Sequence, residues 1–173
     1  MIQILATMAT QNDALHAKLD AHYATMQKLT LESPAEDFAA FGAFFNEECT
    51  VYLMSMREYA EPSLGRQAAI AALRENLNEI RMVERRVLSR SVTTNADGSS
   101  TVFHEMKNHL VVCGDVLDPF YETAVVHFDK DGLITEFKLY SCRSHIVMLI
   151  QEHTGVGPYE KHTGDGPYGM VDA

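Results

Sequence analysis

Positive charge is scarce in this chain. Fourteen lysines and arginines face 24 aspartates and glutamates over 173 residues, for a net charge of -10 and a pI near 5.2. A surface of that sign lacks the basic footprint that phosphate backbones demand, so a nucleic-acid partner is not expected. Anionic membrane surfaces repel it as well. Cysteine is also sparse: Cys49, Cys113 and Cys142 are odd in number and share no C-x-x-C or zinc-ligand spacing. A reduced, cytoplasmic setting is the expectation. No apolar run approaches the ~18 residues of a membrane span. The start, Met1 to Asp13, has no basic residue ahead of its short apolar stretch, so no secretory leader is expected. Glycine-rich phosphate loops and dinucleotide fingerprints are missing, and no cofactor is implied.

What is present is a globular composition. Hydrophobic residues make up 46% and charged residues 22%, enough apolar area to bury a core. Leu15, Leu19, Tyr23 and Met26 form one stripe of a helix that Asn12 or Asp13 could cap. Ser33-Pro34-Ala35-Glu36 reads as a second helix start, with Phe38, Phe41 and Phe45 on one face. A short extended segment, Thr50 to Met54, leads to Gly65 and a third helix carrying Ile70, Leu73, Leu77 and Ile80. Then the period changes. Residues 83–94, 101–112, 120–128 and 133–142 are rich in β-branched and aromatic side chains, and turn-forming clusters separate them. Helices first and strands after give an α+β domain over 1–154, with helices on one face of a curved antiparallel sheet. Residues 155–173 form a Gly/Pro-rich tail with Gly-Pro-Tyr twice, and Tyr159 and Tyr168 are its expected anchors.

Three stretches carry a likeness. Phe45 to Tyr52, Gly65 to Ile70, and His127 to Ile134 with Phe137 and Tyr140 resemble the nuclear transport factor 2-like superfamily, nearest its SnoaL-like branch of polyketide cyclases and natural-product isomerases. The resemblance spans roughly residues 12–150. It implies a cone-shaped sheet with three helices packed on its concave face, and an apolar small-molecule substrate. It also implies a homodimer formed through the outer sheet face. The tyrosine that ketosteroid isomerases place on their first helix would be Tyr23. Their base would fall at Leu53 and their second acid near Tyr121, so that catalytic set is not reproduced. The scytalone dehydratase set is not reproduced either, since its histidine would fall near Asn108 and its serine near Thr123.

The turns set strand parity. A type I turn with a glycine bulge over 129–133 pairs Asp129 with Leu133, and so Val125 with Phe137. A loop over 113–118 pairs His104 with His127, and Asn108 with Thr123. A tight turn at Gly114-Asp115 would slide that pairing by two and keep the faces. The inner face then carries His104, Met106, Asn108, Tyr121, Thr123, His127, Phe137 and Ser141, and the outer face carries His109, Glu122 and Glu136. His104 and His127 become the expected acid–base pair, with Tyr121 beside them, because histidine titrates near neutrality. The bland alternative is two structural histidines satisfied by backbone or water. Metal binding is not expected, because no inward carboxylate or cysteine completes a ligand set. Tyr23, Tyr52 and Arg57 at the cavity mouth, with Met106, Asn108, Thr123, Phe137 and Ser141, are the expected substrate contacts. With these inner-face residues, the resemblance implies a cofactor-independent enzyme of secondary metabolism. It would perform proton-transfer isomerisation, cyclisation or dehydration on a polycyclic, terpenoid or polyketide-type molecule. The alternative is a non-catalytic binding or dimerisation module.

Overall fold

Residues 2–28 contain neither glycine nor proline, and in the computed structural model they form one helix, α1 (Ile2–Lys28). It starts well ahead of the expected cap at Asn12 or Asp13, because nothing before that point breaks a helix. The structure describes residues 2–54 and 61–157. The α1 stripe is buried as the spacing requires, with Leu15, Leu19 and Tyr23 each under 10% exposed. His16 and His22 are buried beside them.

Helix α2 (Ala35–Gly42) begins one residue past Pro34. Ser33 does not cap it: its Oγ accepts the Thr30 N–H at 3.0 Å. Glu36 and Asp37 in the first turn complement the helix dipole instead. Gly42 lets α2 approach α3 (Arg66–Asn76) closely, since a Cβ there would meet Ile70 Cδ1 at 2.5 Å. Phe45 is not on the helix face with Phe38 and Phe41. It opens strand β1 (Phe45–Met54), which pairs with the short β2 (Ser63–Leu64). Gly65 adopts φ +85 between β2 and α3, and its N–H donates to the Cys49 carbonyl at 2.7 Å. A side chain would strain that link.

Four longer strands complete the sheet: β3 (Ile80–Thr94), β4 (Ser100–Val112), β5 (Asp115–Phe128) and β6 (Ile134–Ser141). The sheet order is β2-β1-β6-β5-β4-β3. The expected α+β class with a curved sheet is what is found, with two refinements. The sheet is mixed, because β1 runs parallel to β6. A fourth helix, α4 (Ser144–Thr154), closes the described fold. Its Ile146 packs with Leu110, Val112 and Phe120, and Leu149 and Ile150 lie against that cluster.

Register decides the rest. The turn over 129–133 forms, whereas β4 and β5 are joined by neither the 113–118 loop nor a Gly114-Asp115 turn, and each connection is succeeded by an irregularity. Cys113 and Gly114, at φ 51 and 98, make a tight turn that pairs Val112 with Asp115. Between Leu110–Leu117 and Asn108–Phe120 one extra residue enters β5, at Asp118-Pro119. After the second turn Phe128 pairs with Ile134, but His127 pairs with Glu136, which leaves Thr135 as an extra residue in β6. Each bulge inverts the faces of the residues beyond it. The two cancel for β6 and leave β5 alone inverted relative to expectation. Phe120, Glu122, Ala124, Val126 and Phe128 therefore face inward, and all are buried. Tyr121, Thr123, Val125 and His127 face outward.

Candidate active site

The sheet, α1, α2, α3 and the start of α4 enclose a cavity of about 290 Å³. Tyr23, Phe41, Phe45, Leu110, Phe137 and Ile146 supply much of its apolar wall. The volume lies near the lower end of the ~300–1,000 Å³ usual for ligand pockets. Two fused rings fit within it.

Of the carboxyl groups lining that space among the described residues, Glu122 is the buried one. Glu122 is 7% exposed and lines the cavity, opposite Met106 on β4 and Ser141 on β6. Its Oε2 accepts a hydrogen bond from Asn108 Nδ2 at 2.5 Å. Burial pushes its pKa from the ordinary 4.5 up to about 7, against the opposing pull of the Asn108 hydrogen bond and the Arg143 charge. A group so tuned exchanges protons at neutral pH. Tyr23 also lines the cavity; it is 2% exposed and its hydroxyl has no partner among the described residues. Burial first, and Glu122 second, raise the Tyr23 pKa, so the phenol stays protonated and keeps a proton to donate.

A second polar cluster sits behind Tyr23. Arg85 lies over the Tyr23 ring, 4.1 Å from its centroid. It donates to Asp20 Oδ1 at 2.7 Å, to Met106 Sδ at 3.0 Å and to His104 Nδ1 at 2.5 Å. A guanidinium can only donate, so His104 Nδ1 must accept. Burial first, then Arg85, lowers the His104 pKa to about 4, which leaves the ring neutral. Its remaining proton belongs on Nε2 and points at His16 Nδ1, 2.8 Å away. His22 lies apart, among Phe41, Phe44, Phe45 and Phe137. Burial lowers its pKa to about 3, again with Arg85 as the lesser cause.

The residues expected from sequence separate into two groups. Tyr23, Phe137 and Ser141 line the cavity. Asn108 and Met106 are fully buried on the inner face, the first holding Glu122 and the second accepting from Arg85. His104 is inside as expected, but it faces Ala124 across the hairpin and bonds His16 rather than His127. His127, Tyr121 and Thr123 are on the opposite face of the sheet, because of the bulge at Asp118-Pro119. His127 meets Thr101 Oγ1 at 2.9 Å and Glu136 at 3.2 Å. Tyr121 is 57% exposed. Tyr52 is also outward, since Val51 and Leu53 line the cavity, and Lys138 lies 5.6 Å over its ring. Arg57 and the anchors Tyr159 and Tyr168 fall outside the described residues.

Glu122 is the residue that strand parity alone puts on the wrong side. Pro119 was the available signal, because proline inside a strand marks a bulge or an edge. Among the described residues no three His, Cys, Asp or Glu side chains converge as a metal site would require. No described helix is long and apolar enough to cross a membrane.

No protein-family model and no curated protein matches the chain. Solved structures do match. ActVI-ORFA from Streptomyces coelicolor superposes with a TM-score of 0.52 at 16% identity, covering 76% of this chain and 98% of that one. An LEH-like epoxide hydrolase from M. tuberculosis gives 0.56 at 15%, covering 82% and 92%. A proposed polyketide cyclase from Xanthomonas campestris gives 0.54 at 17%, covering 80% and 98%. The helices and curved sheet, with the cavity between them, are thus an arrangement with known counterparts: the chain has the nuclear transport factor 2-like fold.

Proposed function

We propose that the chain is a cofactor-independent enzyme that moves a proton on an apolar small molecule, by isomerisation, cyclisation or dehydration. The observation that carries this reading is the Glu122 carboxyl, buried in the cavity with a pKa near 7. As carboxylate it takes a proton from carbon next to a substrate carbonyl; as acid it returns one. Tyr23 donates to the oxygen on which negative charge develops. Asn108 fixes the carboxylate through its 2.5 Å bond. Arg85, stacked on the Tyr23 ring, holds that ring in place. The role expected of His104 and His127 passes to Glu122 and Tyr23. His104 belongs to the support behind Tyr23, and His127 has no access to the cavity.

Two observations support an enzyme over a binding or dimerisation module. The cavity is open rather than packed shut by its methionines and phenylalanines. A buried carboxyl also costs stability, which a purely structural site has no reason to keep. Two of the matching structures carry enzyme names, a polyketide cyclase and an epoxide hydrolase. The outer sheet face, where Phe103, Tyr121 and Tyr140 are exposed, is the proposed homodimer surface.

The test uses a neutral ketone sized to the cavity. In D2O, the protein should accelerate exchange of the α-protons of 2-tetralone above the buffer rate, monitored by proton NMR. Glu122→Gln should bring the rate back to that of buffer. Exchange no faster than buffer, or equal in the variant, would overturn the assignment.

A further inference from the structure

The cavity has a direction that proton transfer alone does not require. Arg143 lines it, half-buried, at the junction of β6 and α4. Its guanidinium makes no hydrogen bond or ion pair with any described residue. Glu122 acts on it only through space, its Oε2 accepting from Asn108 Nδ2 instead. Glu61, Glu75 and Arg81 also border the opening, but they are exposed and hydrated. A cation set into an apolar wall is ordinarily paired.

The backbone beside it adds to this. Arg143 is the N-cap of α4, an eleven-residue helix with no side-chain cap. Its carbonyl accepts the Val147 N–H at 3.0 Å, so the N–H groups of the first turn have no acceptor within the helix. Ile146, in that turn, lines the cavity. A helix start favours negative charge. An independent observation is the buried Tyr23 hydroxyl, which lines the same cavity and lacks a partner among the described residues. Two donors on the cavity wall, the Arg143 guanidinium and the Tyr23 hydroxyl, are thus without a partner among the described residues. They call for a ligand rich in acceptors, with an anion at the α4 end.

We infer that the molecule this site takes is a small apolar acid, with its carboxylate on Arg143 and the first turn of α4 and its ring system in the cavity. The inference rests on the cavity being the working site proposed above, and it adds the substrate class. Arg143 binds and orients, while the carbonyl that is activated lies toward Tyr23 and Glu122.

The test is equilibrium binding, independent of turnover, with 2-naphthoate and 2-naphthamide as matched probes measured by calorimetry. The acid should bind at least about tenfold more tightly than the amide, as a charge-assisted hydrogen bond provides. Arg143→Gln should abolish that preference while leaving the affinity for the amide unchanged, which also reports an intact cavity. Arg143→Lys should keep part of the preference, and Glu122→Gln all of it. Equal affinities in the wild type, a preference that survives Arg143→Gln, or no binding of either probe would each overturn the inference. A protein that binds the acid selectively yet fails to exchange 2-tetralone would keep this inference and lose the proton-transfer reading.

Discussion

Replacing Glu122 with glutamine removes a titratable group from the cavity and keeps its shape. The amide oxygen can still accept from Asn108 Nδ2. In the folded chain the carboxyl holds its proton up to about pH 7, whereas in the unfolded chain it returns to the ordinary 4.5. Between those values the folded state binds a proton that the unfolded state has released. Stability therefore falls as pH rises through this window and levels off above it. The slope is ~1.4 kcal/mol per pH unit, so the whole penalty comes to about 3 kcal/mol by pH 8. Below 4.5 it is absent. Glutamine carries no such penalty, so Glu122→Gln should match the wild type near pH 4.5 and exceed it by about 3 kcal/mol at pH 8.

The assay is urea denaturation of both proteins from pH 4.5 to 8.5, plotted as the difference between them. The difference matters because His22 and His104 also titrate on unfolding. Their folded values are depressed to about 3 and about 4, so the stability they contribute is present above 6.5 and is lost as pH falls. Both proteins share that loss, and it cancels. A difference flat to within ~0.5 kcal/mol across the range would refute the buried-acid argument. Paired with the exchange assay, the expected outcome is a variant more stable and less active than its parent. A residue kept for packing gives the opposite pair.

The same geometry fixes other outcomes. Tyr23→Phe removes a buried hydroxyl that bonds no described residue, so melting should be unchanged or slightly improved while 2-tetralone exchange slows by ~100-fold or more; unchanged exchange would remove Tyr23 from the proposed chemistry. His104→Leu strips an acceptor from Arg85 and a partner from His16. It should cost about 2–4 kcal/mol in urea melts, and a loss under ~1 kcal/mol would mean the network holds without it. His127→Gln, on the outer face, should stay within about twofold of wild-type activity and ~0.5–1 kcal/mol of its stability; loss of turnover would restore the histidine pair. Native mass spectrometry at micromolar concentration should show a dimer that weakens in Tyr121→Glu. A wild-type spectrum holding only the 19.3 kDa species would count against the outer-face interface.

The inner face of β4 serves two ends at once. His104, Met106 and Asn108 alternate along it. The first two are committed to Arg85, each of whose three nitrogens finds an acceptor, while the third reaches Glu122 in the cavity. Arg85 links the halves, because it anchors the closed network and stacks on Tyr23, whose hydroxyl stays unspent. A buried cation is costly unless it is held on several sides, and Asp20, His104 and Met106 hold this one. That explains why α1 carries Asp20, His16 and Tyr23 on neighbouring turns. The polar residues of one helix face build the support for the phenol it presents.

How much of the fold and site is legible in the sequence depends on where the information lies. The helical stripe of Leu15, Leu19 and Tyr23, the glycine before α3 and the turn at Asp129 are local signals, each with its own stereochemistry, and each appears as expected. Asp129 even caps its turn as the residue type suggests, with Oδ1 accepting from the Asp131 and Leu133 N–H groups. Which face a strand buries is not local. It depends on counting residues from a turn, and one extra residue exchanges the two faces completely. The composition of β5 could not arbitrate, because both faces alternate plausible core and surface types: Phe120, Glu122 and Ala124 on one, Tyr121, Thr123 and Val125 on the other. Pro119 marked one bulge in advance. Thr135, an ordinary β-branched residue, marked nothing. With β5 inverted, a histidine left the site and a glutamate entered it. The proposed chemistry therefore moves from an imidazole pair that needs no burial to a carboxyl whose pKa is raised toward neutrality by burial.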